Sequence, residues 1–240
     1  MNFIGDEPNT IEPLWRYFKT ERLIDFLNTG ELYFASAREF NDKFEGAVAI
    51  VSSEYKTDPR YTKLEGTEKA FEELKRLTKV SCWHRSLYES DAMWQLYADE
   101  WKGVAIQTNL DKIKKSIKPF RLSPKYAEEN LCVGNVKYVD LTKGKLKVSM
   151  IERFWHKHTA FDWEKEFRIG ISLRLAEEFG VDIPEHGIKV KFEITDLIER
   201  IHLGPFLSDT DIEKVRKLAI EKGIGDRVDI SSLKGTPRYT

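Results

Sequence analysis

Cysteine is scarce here, with Cys82 and Cys132 alone in 240 residues. Two thiols cannot make the disulfide framework of a secreted scaffold, and they cannot complete a zinc site by themselves. A surplus of one charge is also lacking, since 39 Lys and Arg against 40 Asp and Glu leave a net charge of −1. Global charge therefore argues for neither a nucleic-acid nor a membrane partner. No run approaches the roughly 18 apolar residues needed to span a bilayer. The stretch from Met1 to Glu12 has no basic start and no apolar core, so it does not read as a signal peptide. These absences make a cytoplasmic address and no membrane partner the expectation. Internal repeats and low-complexity linkers are missing too. One domain over residues 14–231 is expected, after an extension at 1–13 and before a tail at 232–240.

What is present suffices for a core: the chain is 41% hydrophobic and 12% aromatic, with six Trp, so disorder is excluded for most of it. Leu14–Phe18 reads as a short strand. Thr20 then caps a helix carrying Leu23, Ile24 and Leu27 that stops at Gly30. Glu31–Ser36 is a strand, Ala47–Ser52 a weaker one, and residues 53–66 a polar loop. Thr67–Thr78 and Ser90–Ala98 have helical spacing, and Val80–Trp83 and Gly103–Thr108 read as strands. Lysines crowd residues 111–126, a helix followed by an exposed loop. Asn135–Asp140 is strand-like, and Met150–His158 fits a helix burying Ile151, Phe154 and Trp155. From Glu166 to Leu173 apolar and polar residues alternate as in a strand with one wet face, and Ile188–Ile194 repeats the pattern. Ser208 caps a last helix ending at Gly223, and Val228–Ile230 is a short final strand. Helices and strands mix without a βαβ rhythm, which predicts an α+β fold: mixed or antiparallel sheets of short strands with packed helices.

Four polar clusters stand among aromatics at strand ends: Arg16-Tyr17-Phe18, Phe40 to Gly46, Ser81 to His84 with Met93 to Tyr97, and Trp163 to Arg168. In this order they resemble the domain-of-unknown-function 2971 family. That family shows a Phe-Asn-Asp-Pro-Phe-Glu-like loop, a Ser-Cys-aromatic strand, a Met-Trp-x-x-Tyr helix and a Trp-x-x-Glu-x-Arg segment. Lys43 stands where that family's loop usually has proline. The resemblance runs from about Leu14 to about Leu218 and implies no activity.

A second pattern is similar to that of the ADP-ribosyltransferases, which bring an Arg, a strand Ser and a Glu-x-Glu around NAD. Arg16, Ser81 and Glu164-Lys165-Glu166 occur here in that order, and the resemblance implies a related fold. It also implies that Glu166 stabilises the oxocarbenium-like ribosyl centre left when nicotinamide departs, and that Glu164 acts as the base toward a protein or nucleic-acid acceptor. Arg16 would hold the pyrophosphate and Ser81 would support the glutamate or the ribose. Tyr17, Tyr33 or Trp94 would stack on nicotinamide. Asn41, Asp42, Glu45 and Arg168 complete the motif residues.

Plainer readings stand beside these. Glu164, Glu166 and Arg168 also fit a solvent-facing charge ladder, and Arg16 a surface ion pair. Met93, Trp94 and Tyr97 fit a core stripe. Asn41 and Asp42 fit a turn, and Glu45 fits hydrogen bonding to loop amides. His156 and His158 are two apart, and on a helix that spacing points them to different faces; no metal is expected. A metal-dependent nuclease using Asp42, Glu45, Glu164 and Glu166 is one alternative function. A non-catalytic binding or regulatory module, of the kind found in stress or phage defence, is the other.

Overall fold

The computed structural model describes residues 1–50 and 67–239. Its strands are β1 (Asn2–Phe3), β2 (Leu14–Phe18), β3 (Glu31–Ser36), β4 (Thr78–Arg85), β5 (Val104–Thr108) and β6 (Leu131–Asn135). They continue with β7 (Lys137–Val139), β8 (His156–His158), β9 (Glu166–Ser172), β10 (Ile188–Lys191), β11 (Arg200–Leu203) and β12 (Val228–Ile230). The helices are α1 (Thr20–Thr29), α2 (Thr67–Leu77), α3 (Asp91–Tyr97), α4 (Leu110–Ser116), α5 (Arg174–Glu178), α6 (Ile194–Leu197) and α7 (Asp209–Glu221). Parallel and antiparallel pairs coexist, so the fold is α+β as the sequence predicts. No helix among the described residues is long and apolar enough to cross a membrane.

The chain gathers into two compact units, each assembled from separate stretches. The first comprises residues 1–7, 33–82 and 120–188. In it β1 pairs parallel with β6, and β6 pairs antiparallel with β9, Gly134 facing Arg168 and Cys132 facing Gly170. The expected N-terminal extension therefore begins as a strand. The end of β3 pairs antiparallel with the first half of β4. A small separate ladder, β7 with β8, places Lys137 opposite His156 and Tyr138 opposite Lys157. The core under these strands is Ile4, Ala37, Phe154 and Trp155. Glycine makes room for the last of these, because a Cβ on Gly170 would sit 2.6 Å from the Trp155 ring.

The second unit comprises residues 8–32, 83–119 and 189–240. Strand β5 lies between β2 and β11, antiparallel to both, and β12 pairs parallel with β11. Trp15, Tyr17, Met93, Trp94, Ala98 and Ala105 form its aromatic core. Ser90 caps α3, its hydroxyl accepting from Met93 N. Glu89 ties down the start of the expected C-terminal tail, accepting from Ser231 Oγ at 2.5 Å and Ser232 N at 2.8 Å.

Several sequence expectations shift. Met150–His158 is no helix: Glu152–Trp155 makes a 3-10 turn and His156–His158 a strand. Two aromatic rings in a row must be buried there, and a turn feeding a short ladder does that with no amphipathic face. Helix α1 starts on Thr20, with Lys19 in the cap position. Ile188–Ile194 breaks after Lys191, and Ile194 opens α6. Residues 47–50 form no strand. The loop expected at 53–66 lies outside the described residues.

Candidate functional site

The charged residues of β9 are not on a wet face. All of Glu166–Ile171 is buried, so the solvent-facing ladder is corrected to a buried charge cluster. Packing covers both sides of this strand, and alternation then carries no information about water. Arg168 is 1% exposed. Its Nη1 and Nη2 fork onto Glu45 Oε1 and Oε2 at 2.6 and 3.1 Å, its Nε donates to Glu166 Oε2 at 2.6 Å, and Nη1 also reaches the Phe154 carbonyl at 2.6 Å. The Phe40 ring lies 5.5 Å from the guanidinium carbon. Such forked pairs use the planarity of arginine fully.

Lys157 supplies the second cation. Its ammonium donates to Glu164 Oε2, and lies 3.7 Å from Glu166 Oε1 and 3.9 Å from Asp42 Oδ2. The Phe161 ring centroid is 4.7 Å away. Sequence reasoning missed Lys157. Its one signal is that four carboxyl groups (Asp42, Glu45, Glu164, Glu166) cannot share a buried site with Arg168 as the sole cation.

Glu164 and Glu166 converge because the residue between them is bent backward. Glu164 closes a 3-10 turn, and Lys165 takes φ 43° and ψ 51° before β9 begins. A left-handed lysine is costly without tertiary support, and the Lys165 N–H to the Asp162 carbonyl, at 3.2 Å, is part of that support. Glu166 N donates to the Tyr138 hydroxyl at 2.8 Å, which joins the β7–β8 ladder to the cluster.

The two carboxyls titrate in opposite directions. Burial raises Glu164, the neighbouring Glu166 charge adds to it, and Lys157 offsets only part. Burial also works against the charge on Glu166. There the Arg168 and Lys157 charges, with a hydrogen bond from Glu164, win and hold the carboxyl below its usual range. Two carboxylates in one site separate in this way because both cannot ionise easily. Lys157 is raised, burial being outweighed by Glu166 and Glu164. Burial, with the Glu166 charge, pushes the Cys82 thiol up to about 12.

The remaining expected residues divide. Asp42 and Glu45 join the cluster, and Asp42 Oδ1 also accepts from Phe44 N at 2.8 Å. Asn41 is exposed, and Ser81 is buried within β4. The Tyr33 hydroxyl sits with the Glu39 carboxylate and accepts from Gly187 N. Three residues belong to the second unit. Arg16 lies 5.3 and 5.7 Å from the Phe18 and Trp83 rings. The Tyr17 hydroxyl accepts from Ser90 N. Trp94 is fully buried, with Nε1 on Glu89 at 2.8 Å; it is core, and no face of its ring is open to a nicotinamide.

Residues 93–169 match the model of a family described as protein of unknown function (DUF2971). The resemblance to that family therefore holds across α3 and the Trp163–Arg168 segment, while the Phe40–Glu45 loop and the Ser81–Trp83 strand lie outside the matched stretch. The chain matches no curated protein and no solved structure.

Proposed function

We propose, taking as premise a family segment of unknown function that runs through the Glu164–Glu166 pair to residue 169, that this chain is an ADP-ribosyltransferase-like enzyme using NAD. The observation that carries the reading is geometric: Glu164 and Glu166 converge, buried, on the one Lys157 ammonium, and that crowding drives their titration apart. An ionised Glu166 suits the stabilisation of positive charge on the ribosyl carbon as the bond to nicotinamide breaks. Glu164, raised by burial and by the neighbouring Glu166 charge, suits a group that takes a proton from an attacking acceptor once its own has left. Lys157, shared by the two, keeps their combined charge tolerable in a buried place. The acceptor would be a protein or a nucleic acid.

A second reading, a non-catalytic module braced by this cluster, is favoured by one observation. Arg168 is saturated by two carboxylates and a carbonyl, and Glu166 is only 8% exposed. The nuclease reading has less support: the four carboxyls it would use surround Lys157 and Arg168, and among the described residues no group of three His, Cys, Asp or Glu could hold a metal ion.

Incubating purified protein and cell lysate with labelled NAD, beside Glu166→Gln and Glu164→Gln variants, separates the readings. Enzymatic function predicts label transfer that both variants lose by about a hundredfold or more while the circular dichroism spectrum shows them still folded at the assay temperature. Transfer by neither wild type nor variant, or by all three equally, leaves the brace.

A further inference from the structure

The buried lysines and arginines of the first unit have their counter-groups at hand, with one exception. Arg168 has two carboxylates and a carbonyl, and Lys157 has Glu164, Glu166 and Asp42 around it. Lys79 in β4 donates to the Pro184 and His186 carbonyls at 2.9 and 2.5 Å. Arg153, on the 3-10 turn Glu152–Trp155, is the exception. It is 9% exposed, and its Nε and Nη1 have no hydrogen-bond partner among the described residues. Its guanidinium carbon lies 4.2 Å from the ring centroid of Phe71 in α2. Burial pulls the guanidinium below its usual range, and no neighbouring carboxylate opposes that. The group stays charged all the same.

A buried cation without a partner is unfavourable, and a methionine would cover the Phe71 ring without that cost. The question is where an anion could reach it. Nε and Nη1 have no accessible surface and cannot touch a ligand. Nη2 is neither closed off with them nor bonded, so it is the nitrogen through which the guanidinium meets solvent. Forked recognition of a carboxylate takes two N–H groups on two nitrogens. One open nitrogen cannot make that fork, so charge decides what binds more than planarity does. A phosphoryl dianion then gains more than a carboxylate.

We propose that Arg153, backed by the Phe71 ring, is an anchoring point for a phosphoryl dianion, which Nη2 contacts end-on. The anion is free phosphate or the phosphate of a monoester. The site is independent of the ADP-ribosyl reading and stands if that reading fails.

The test follows the arginine Nε–H groups by nitrogen-15 NMR on the full chain at about pH 8, assigned with Arg153→Met. Inorganic phosphate and methyl phosphate are the probes, and the tighter of the two tells a free anion from an ester. A saturable shift of the Arg153 signal is expected, with a midpoint on the order of 10 mM. Sodium chloride at equal ionic strength should give none, and propionate should bind at least about fivefold more weakly. Urea unfolding supplies a second readout. In phosphate-free buffer Arg153→Met should raise the midpoint, because the uncompensated charge is gone. Phosphate should then stabilise the wild type more than the variant. No saturable shift, an equal shift by chloride, or propionate as tight as phosphate overturns the proposal. So does a lower urea midpoint for Arg153→Met without phosphate, since the ring by itself would then satisfy the cation.

Discussion

Arg168 and Glu45 stand 123 positions apart in sequence and meet as a buried fork, Nη1 on Oε1 at 2.6 Å and Nη2 on Oε2 at 3.1 Å. The fork ties the Phe40–Gly46 loop to β9, and it is the reason Glu45 cannot be replaced by any residue that merely turns a loop. Removing one member leaves a buried charge unpaired, which costs about 3–5 kcal/mol. Arg168→Met should therefore lower unfolding stability by that order in urea titrations. The pair Arg168→Met with Glu45→Leu should recover more than half of the loss, despite the Glu166 contact that stays broken. A double variant as unstable as the sum of the singles would contradict the fork as the main contact.

Lys165 provides a test of backbone strain. Its φ of 43° is a conformation that glycine adopts at little cost and a β-branched residue resists. Lys165→Gly should leave the melting temperature unchanged or slightly raised, and Lys165→Val should destabilise by about 1–3 kcal/mol. If Val is tolerated as well as Gly, the bend does not set the approach of the two carboxyls.

The acid limb of stability should carry the signature of the pair. Glu166 has a native value below its ordinary 4.5. Its stabilisation is thus fully present above 4.5 and is lost as pH falls through the lowered native value. Glu164 has a native value above 4.5, so its native form gains protons first, and stability from that group rises as pH drops from neutral toward 4.5. In urea midpoints measured across this range, Glu166→Gln should flatten the loss below 4.5, and Glu164→Gln should remove the gain above it.

The thiol of Cys82, pushed up to about 12, is almost wholly protonated at pH 8. Native protein should react there with iodoacetamide at least about tenfold more slowly than the urea-unfolded chain. Rapid native alkylation at Cys82, read by peptide mass, would show a thiol freer of burial and of the Glu166 charge than its position implies.

Much of the framework was legible because it is written in local chemistry. Leu23, Ile24 and Leu27 at helical spacing before Gly30, Ser90 ahead of Met93 and Trp94, and Ser208 ahead of α7 state their own helices. The candidate site was legible in part: Asp42, Glu45, Glu164, Glu166 and Arg168 do gather. What could not be read was their burial. Alternation along β9 looks the same whether the polar face meets water or meets Lys157 and Glu45, and only long-range packing decides. Lys157 itself lies in a run of His-Lys-His that reads as the end of a helix burying Ile151, Phe154 and Trp155. Ile201 and Leu203 in β11 were too short a pattern to announce a strand. Trp94 illustrates the converse error: an aromatic beside polar residues suggests a stacking platform, but its indole fills the core.

The central claim is that Glu164 and Glu166 share a buried site and part in their titration. Carbon-13 NMR of the glutamate carboxyls, assigned with Glu164→Gln and Glu166→Gln and followed against pH, measures this directly. The account predicts that Glu164 titrates above 4.5, that Glu166 titrates below it, and that Glu164→Gln changes the Glu166 curve because the two are coupled. Two carboxyls titrating together at the ordinary value, each indifferent to loss of the other, would contradict it.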